Sequence, residues 1–306
     1  MNQTYNGSGD PLADRRADYA ARLAGEGDLA AAADLMRQAL ERAPRWSAGW
    51  MTMGGFLERA GDSSGAADAY RSAADQDDAD GQGARLRLAL LGAAPAPATA
   101  PPAFVRGLFD QYADRFDASL VGRLGYDGPA QILAALRDVA GDDRDFGEVL
   151  DLGCGTGLMG AQLRDRAGRL TGVDLSPGML DKARRKRIYD RLFEGDIAAY
   201  DPGETRFDLV TAADVLIYVG DPRRLVAVVA ALLAPGGLFA FSIETHTGAE
   251  PYLLGPSLRF AHAPAALEGL LATEGMEVLR SVPVTLRQDR GQPVAGRIIV
   301  AAAPAA

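Results

Sequence analysis

Short runs of apolar, β-forming residues recur along the second half of the chain, each followed by enough residues for a turn and a helix. The first run ends at Asp151 after Val149 and Leu150, and a second run, 169–174, ends at Asp174. Three further runs lie at 191–194, 207–211 and 238–243. Strand-like runs that alternate with helical stretches favour a parallel sheet with helices on both faces. The pattern therefore predicts an α/β fold for this part of the chain.

Three glycines at alternate positions, Gly153, Gly155 and Gly157, follow the first predicted strand. Glycine permits positive φ and lets a ligand lie against bare backbone. The spacing is G-x-G-x-G, because Leu158 stands where the dinucleotide-binding pattern G-x-G-x-x-G has its third glycine. This difference favours S-adenosylmethionine (SAM) over a nicotinamide dinucleotide as the ligand.

Acidic residues follow two more of the predicted strands. Asp174 comes about one helix and one turn after Gly157, which places its carboxylate beside the glycine loop, where it could accept hydrogen bonds from a ribose diol. Asp196 follows the third strand and could accept from an exocyclic amine, while Ile197 packs on a purine face. Each acid could instead be a helix N-cap or a solvated strand end.

The features described above belong to four sequence motifs. The motifs follow one another along the chain at the spacing expected for alternating strands and helices. From about Phe104 to Val300 the chain resembles the class I SAM-dependent methyltransferases. The resemblance implies a Rossmann-like sheet of seven strands with helices on both faces and a final antiparallel hairpin, for which 276–282 and 295–301 are the candidate strands. The motifs that carry it are 150–157, 172–176, 195–197 and 233–237.

The resemblance also implies which residues bind SAM and its product S-adenosylhomocysteine (SAH). The three glycines would cradle the methionine end, Asp151 would help to hold the ammonium group, and Asp214 would lie near the sulfonium. Asp174 would hold the ribose, and Asp196 with Ile197 the adenine, while Leu175 and Met179 are further cofactor-binding candidates. Tyr112, and Phe116 beside it, would contact the cofactor from a covering segment, 104–117, whose alternative role is an amphipathic packing helix.

Candidate residues for the methyl acceptor cluster after the fifth strand, where open α/β sheets bind ligands. They are Glu244, His246, Arg259 and His262, and Tyr218 joins them by resemblance to relatives in which that position lines the acceptor pocket. His262 could act as a general base, which is needed only if the acceptor arrives protonated. Arg259 could clamp a carboxylate or phosphate. The alternatives are a structural hydrogen bond for the histidine and an ion pair with an acid such as Glu244 for the arginine.

The first hundred residues carry a repeat of 34 residues. Small residues alternate with large ones in the way that is typical of tetratricopeptide (TPR) helical hairpins, and 83–92 resembles a capping helix. Together with this repeat, the features at Glu244, at 259–262 with Arg259 and His262, and at Leu286 and Arg287 make nearly the whole chain similar to a group of predicted TPR-containing bacterial methyltransferases. The aligned pairs are Asp28 with Asp62, Ala32 with Ala66, Met36 with Tyr70, and Ala39 with Ala73.

These patterns predict three parts. They are a small all-α TPR-like domain at 1–91, a Pro/Ala-rich linker at 92–102, and a methyltransferase domain at 103–306. We expect methyl transfer from SAM to a small molecule, or to a protein recruited by the repeats, which could also mediate self-association. The alternative is a non-catalytic scaffold that binds SAM and a partner. A third hypothesis, a nicotinamide-dependent reductase, is opposed by the Gly157-Leu158 sequence and by the Asp196 motif.

Composition limits the kinds of molecule that this protein is expected to bind. The 306 residues carry a net charge of −9 with neither half basic, which argues against nucleic acid. The basic run 182–187 suits the C-terminal turn of a helix.

The chain has one cysteine, Cys154, and two histidines, which excludes an intramolecular disulfide and makes a metal site implausible. Cys154 fits better as a small residue in the glycine loop than as a nucleophile. Short apolar stretches and no signal peptide predict a cytoplasmic protein with no membrane contact.

Overall fold

The computed structural model describes residues 7–113, 126–289 and 291–305. Its contacts divide the chain into two compact units, Met1–Phe104 and Val105–Ala306. The described part of the first unit is built of helices, and the second unit contains a large sheet with helices.

Two packed helix pairs and a short helix form the first unit. Asp28 and Asp62, which are 34 residues apart, cap the second helix of each pair in the same way: they accept hydrogen bonds from the backbone N–H of Ala31 at 3.0 Å and of Gly65 at 2.9 Å. The sequence repeat is thus a repeat in structure. The helices are α1 (Pro11–Glu26), α2 (Leu29–Arg42), α3 (Ser47–Arg59), α4 (Ser63–Asp75) and α5 (Ala84–Leu90).

The second pair packs closely because Gly54 of α3 lies under the ring of Tyr70 of α4. A Cβ at Gly54 would lie 2.4 Å from that ring, so a larger residue would push the helices apart. Tyr70 is buried, and its hydroxyl donates to Glu58 at 2.7 Å. The contact between Gly54 and Tyr70 therefore limits how closely α3 and α4 can pack.

A seven-stranded sheet forms the centre of the second unit, in the order β3-β2-β1-β4-β5-β9-β8. The first five strands pair in parallel, whereas β9 is antiparallel to both β5 and β8. The predicted sheet and its final antiparallel hairpin are confirmed. The strands are β1 (Phe146–Leu152), β2 (Ala167–Asp174), β3 (Arg191–Glu194), β4 (Phe207–Ala212), β5 (Leu233–Glu244), β8 (Glu277–Asp289) and β9 (Gln292–Ala302).

Alternate side chains of β5 enter two different hydrophobic cores, since successive residues of a strand point to opposite faces. Phe239 and Phe241 belong to one core, with α10 and α11, and Leu238 and Ala240 belong to the other, with α7 and α8. The sheet is therefore covered on both faces. The helices are α6 (Pro102–Tyr112), α7 (Gly128–Ala140), α8 (Leu158–Leu163), α9 (Pro177–Lys186), α10 (Arg223–Leu232) and α11 (Pro264–Thr273).

The structure differs from the sequence-based elements in two places. The strand-like run 238–243 begins five residues earlier in the structure, since β5 includes the motif 233–237. Within that motif Gly236 takes a φ of 70°, and the pairing register with β4 shifts between Phe207 and Leu209. A separate two-stranded sheet of β6 (Tyr252–Leu254) and β7 (Phe260–His262) follows β5 and was not predicted. No helix in the described ranges combines the length and hydrophobicity that a membrane crossing needs.

Replacing Phe241 by alanine tests the larger core. Its ring is fully buried and stacks on Phe239 with centroids 4.3 Å apart. We expect Phe241→Ala to lower the free energy of unfolding by about 3–5 kcal/mol, because the cavity adds to the lost burial. Urea denaturation measures this effect, and Leu279→Ala, at a side chain that is 42% exposed, is the control, with a change below about 0.5 kcal/mol. Equal effects would contradict this core assignment.

Candidate active site

The glycine loop lies between the end of β1 and the start of α8. Gly153 and Gly155 have φ values of 63° and 54°, which disfavour other residues. A Cβ at Gly153 would lie 2.5 Å from Val215, whereas a Cβ at Gly155 would meet no atom closer than 4.0 Å. Gly155 therefore offers open backbone to a ligand. Cys154 in the same loop is buried, and burial raises the pKa of its thiol. Both observations support the interpretation of Cys154 as a small structural residue and not a nucleophile.

Asp151 is buried at the end of β1 and receives two hydroxyl donors. Tyr189 donates to one carboxylate oxygen at 2.6 Å and Thr211 of β4 to the other at 2.9 Å. Burial raises the pKa of Asp151 to about 6, although both hydroxyl groups oppose the shift. Tyr189 was not recognised from the sequence. It lies between α9 and β3, outside every motif, and only the strand order brings it to Asp151.

Asp174, at the end of β2, is 8% exposed and joins two loops. One carboxylate oxygen accepts from the backbone N–H of Gly155 and the other from that of Ser176, both at 2.8 Å. Burial raises the pKa of Asp174, and these two N–H donors oppose the shift. The predicted juxtaposition of Asp174 and the glycine loop is thus present in the structure. Next to Asp174, Leu175 is half-buried, and Met179 is buried in α9 with its N–H on the Ser176 hydroxyl.

Helix α6 lies over this edge of the sheet and is held by Asp110. That carboxylate accepts from the Ser176 hydroxyl at 2.5 Å and from the Gly178 N–H at 3.2 Å. Phe109 of the same helix meets the ring of Tyr218 edge-on, with centroids 5.5 Å apart. Tyr112 ends the helix with half of its surface exposed. Phe116 lies outside the described residues. The covering role of α6 thus rests on Asp110 and Phe109, which the sequence did not single out for it.

Asp196 and Ile197 lie at the start of a short 3-10 helix after β3. Asp196 is exposed, and its side chain accepts from the Ala198 N–H at 2.9 Å, which is the capping arrangement that the sequence left open. Ile197 is half-buried against the core that contains Phe239. A contact of these two residues with adenine stays a prediction.

An ion cluster around the buried Arg287 of β8 joins Asp214, which follows β4, with Glu244 of β5. The Arg287 guanidinium, with 2% of its side chain exposed, forms ion pairs with Asp214 at 3.0 Å and with Glu244. The Ser242 hydroxyl accepts from the Asp214 N–H at 2.8 Å and donates to the Asp214 carboxylate at 3.2 Å. Burial raises the pKa of Asp214, and the positive charge of Arg287 opposes this. Both predicted acids are therefore already paired, and the partner of Glu244 is Arg287 rather than Arg259.

The β6–β7 hairpin carries His262 and Arg259. The Nε2 atom of His262 lies 3.1 Å from the Leu216 carbonyl, the ring is buried, and burial lowers its pKa. This geometry favours the structural role for His262 over that of a base. Arg259 lies close to the buried Tyr218: burial raises the pKa of Tyr218, and the Arg259 charge opposes that shift.

His246 differs from His262 in having a ring nitrogen without a partner. Its Nδ1 accepts from the Gly248 N–H at 3.0 Å, so the neutral ring carries its proton on Nε2. That Nε2 is buried and has no hydrogen-bond partner among the described residues. No group of three His, Cys, Asp or Glu side chains in the described ranges is placed to hold a metal ion.

Comparison with known proteins assigns a family to this arrangement. The family model described as a methyltransferase domain matches residues 149–237. A ubiquinone biosynthesis O-methyltransferase from Ralstonia nicotianae is 30% identical over 171 residues, which cover 49% of this chain and 68% of that enzyme. The chain belongs to the class I SAM-dependent methyltransferase family.

Two further comparisons show how much of the chain is similar to known methyltransferases. A ubiquinone biosynthesis O-methyltransferase from Coxiella burnetii is 37% identical over 98 residues, which are 31% of this methyltransferase-family chain and only 42% of that enzyme. The crystal structure of the N-methyltransferase NodS from Bradyrhizobium japonicum, in complex with SAH, superposes with a TM-score of 0.52 at 20% identity, over 65% of this chain and 98% of NodS. At that identity the likeness shows the fold alone.

The ion cluster gives a testable consequence for stability. Arg287→Met leaves Asp214 and Glu244, whose side chains are 16% and 14% exposed, without their cation, and we expect the free energy of unfolding at neutral pH to fall by about 3–5 kcal/mol. Because the pKa of Asp214 is raised in the folded protein, the folded state binds more protons as the pH falls, and lowering the pH should restore part of this loss. Urea denaturation at neutral and mildly acidic pH measures both effects.

The matched control is Arg280→Met. Arg280 forms an exposed ion pair with Asp138 at 2.8 Å, and its loss should change the free energy of unfolding by less than about 1 kcal/mol at either pH. If Arg287→Met behaved like this control, the account of a buried, charge-coupled cluster would be wrong.

Proposed function

We propose that the second unit binds SAM and transfers its methyl group to a small-molecule acceptor. The observation that carries the proposal is the shared hydrogen bonding of Asp174 with the glycine loop, at the carboxyl end of a parallel sheet. This is the edge at which open α/β folds bind nucleotides. Family membership and the O-methyltransferase relatives support the reaction class and a small acceptor.

The residues present fit this cofactor. Gly155 offers open backbone for the methionine end, and the buried Asp151 provides a carboxylate for the ammonium group. Asp174 has acceptor capacity beyond its two N–H donors, because a carboxylate has about four lone-pair sites. Leu175, Met179, Ile197 and Tyr112 would complete the nucleoside pocket, with Asp196 on the adenine. Bound SAM supplies a methyl group on a positively charged sulfur, which leaves the protein to align the acceptor and exclude water.

On the acceptor side we propose His246 as the histidine that contacts the substrate. The Nε2 proton of His246 is free to be donated to an acceptor oxygen, whereas the ring of His262 is engaged with Leu216. Asp214 and Glu244, paired with Arg287, would act as a fixed wall of the pocket. Tyr218 would line it next to Phe109.

For the first unit we propose two TPR-like repeats with a capping helix, at residues 1–91, followed by a linker at 92–102. The equivalent caps at Asp28 and Asp62 support the repeat. Repeats of this kind bind peptides or self-associate, so a protein partner or a second copy of the chain is the proposed ligand. A surface cleft of about 510 Å³ in this unit, lined by apolar residues such as Pro44 and Trp46 and by polar ones such as Arg45, Gln76 and Asp77, offers room for a peptide.

Removing the Asp174 carboxylate tests the cofactor assignment. We expect Asp174→Ala to weaken SAM binding by about 2 kcal/mol or more, because buried hydrogen bonds to the ribose are lost along with the anchor of the glycine loop. Calorimetric titration with SAM measures the dissociation constant. As the control, Asp138→Ala removes an exposed carboxylate of α7. An unchanged dissociation constant in folded Asp174→Ala would exclude the proposed role.

The raised pKa of Asp151 predicts a pH dependence of SAM binding. Above about pH 6 the carboxylate is charged and attracts the ammonium group, and below that pH it is protonated. SAM affinity should therefore fall by about tenfold between pH 7 and pH 5. In Asp151→Asn the affinity should be weaker at pH 7 and nearly independent of pH. A wild-type profile as flat as that of the variant would contradict the ammonium role of Asp151.

A further inference from the structure

The ring of Tyr189 occupies a space that three glycines leave open. A Cβ at Gly160 of α8 would lie 2.4 Å from the Tyr189 side chain, and a Cβ at Gly157 or at Gly172 of β2 would lie 3.0 Å from it. Side chains at these positions would crowd the ring, so their absence lets it lie against the glycine loop. Tyr189 thus belongs to the cofactor edge in space, although it lies outside the glycine loop in the sequence.

This placement brings the Tyr189 hydroxyl to Asp151. The hydroxyl donates to one carboxylate oxygen at 2.6 Å, and Thr211 of β4 donates to the other. Burial raises the pKa of Tyr189 well above its ordinary value, so the phenol keeps its proton and acts as a donor at neutral pH. Of the groups that lower the pKa of Asp151 against the effect of burial, the Tyr189 hydroxyl has the largest effect, ahead of the Thr211 hydroxyl and the Gly160 N–H.

The titratable groups around Asp151, as far as the described residues show, are an acid and two groups that stay neutral. The acid is Asp174 on the neighbouring strand, and its negative charge raises the pKa of Asp151. Burial raises the pKa of the Cys154 thiol and of the Tyr126 phenol, which keeps both of them neutral near pH 7. Hydrogen-bond donors are therefore what keeps the Asp151 carboxylate ionised at neutral pH.

Asp151 retains room for one more donor. A carboxylate has about four lone-pair sites. Two hydroxyl groups and one backbone N–H occupy those of Asp151 on the protein side, which leaves a site for a donor from a ligand. An ammonium group gains from a carboxylate that is both charged and fixed in orientation, because charge-assisted hydrogen bonds are the stronger ones.

We propose that Tyr189 is a positioning residue of the cofactor site, whose hydroxyl holds the Asp151 carboxylate ionised and oriented for the ammonium group of SAM. This inference rests on the proposed function and deepens it, because it assigns the amino acid end of the cofactor to a pair of residues. The Tyr189 hydroxyl then matters only for ligands that carry the ammonium group, and its effect grows as the pH falls.

Titration calorimetry of the full-length protein at pH 6, 7 and 8 with two ligands tests the inference. SAH carries the ammonium group, whereas 5′-methylthioadenosine keeps the nucleoside and sulfur of SAH and has no amino acid group. Tyr189→Phe keeps the ring that the glycines accommodate and removes only the hydroxyl. Tyr70→Phe is the matched control, because the Tyr70 hydroxyl also donates to a carboxylate, that of Glu58 in the first unit, at 2.7 Å.

In Tyr189→Phe we expect the pH midpoint of SAH binding to rise by about one unit. The lost donor favours the ionised carboxylate, so Asp151 takes up its proton at a higher pH. SAH should bind about fivefold more weakly than to the wild type at pH 6 and within about twofold of it at pH 8. The affinity for 5′-methylthioadenosine should be unchanged at each pH, and Tyr70→Phe should follow the wild type with both ligands.

A second comparison tests whether the hydroxyl acts through the acid. In Asp151→Asn, the further change Tyr189→Phe should add no pH-dependent loss of SAH affinity, because no carboxylate remains to be kept ionised. A midpoint that stays at the wild-type value in Tyr189→Phe would overturn the inference. So would a loss of SAH affinity that is equal at pH 6 and pH 8, or one that 5′-methylthioadenosine shares, since these results indicate a packing role only.

The same titrations separate this inference from the proposed function. If the wild-type protein binds neither SAH nor 5′-methylthioadenosine, the methyltransferase proposal is wrong and this inference is wrong with it. If both ligands bind and Tyr189→Phe keeps the wild-type midpoint, only the role of Tyr189 is wrong.

Discussion

Burial of carboxylates at the ends of neighbouring parallel strands is the constraint around which the second unit is built. Asp151, Asp174 and Asp214 end or follow β1, β2 and β4, and burial raises the pKa of each. A buried carboxylate is tolerated only where donors or cations satisfy it. The structure meets this requirement differently for each acid. Hydroxyl groups serve Asp151, backbone N–H groups serve Asp174, and Arg287 with Ser242 serves Asp214.

These different solutions divide the site into two sides. Around Asp151 and Asp174 the donors belong to loops that follow β1 and β2, so the same groups that satisfy the acids shape a cradle for a nucleoside. Around Asp214 the single positive charge of Arg287 is shared by two carboxylates, those of Asp214 and Glu244. We infer that the loops after β1 and β2 define the cofactor side of the site.

Much of the sheet could be predicted from the sequence because its signals are local. The glycine loop and the acids that follow the strands depend on residues close together in the chain, whereas the number of strands and the final hairpin were implied by the family resemblance. The partners of the acids could not be predicted, since Tyr189 reaches Asp151, and Arg287 reaches Asp214, only through the strand order. The β6–β7 hairpin was missed because its strands have only three residues each, too few for a periodic pattern.

The role of each histidine was likewise undecided until the fold placed a carbonyl beside His262 and left Nε2 of His246 without a partner. A lone histidine in a sequence carries no signal of which neighbour it will meet. In the 34-residue repeat, by contrast, Asp28 and Asp62, which the alignment pairs, cap their helices through local hydrogen bonds.

Calorimetric titration of the full-length protein with SAH, with NADH as the control ligand, tests the central claim most directly. The account predicts micromolar binding of SAH and no binding of NADH, because the glycine loop and Asp174 form a pocket for a sulfur nucleoside. Binding of NADH in preference to SAH, or of neither, would contradict it.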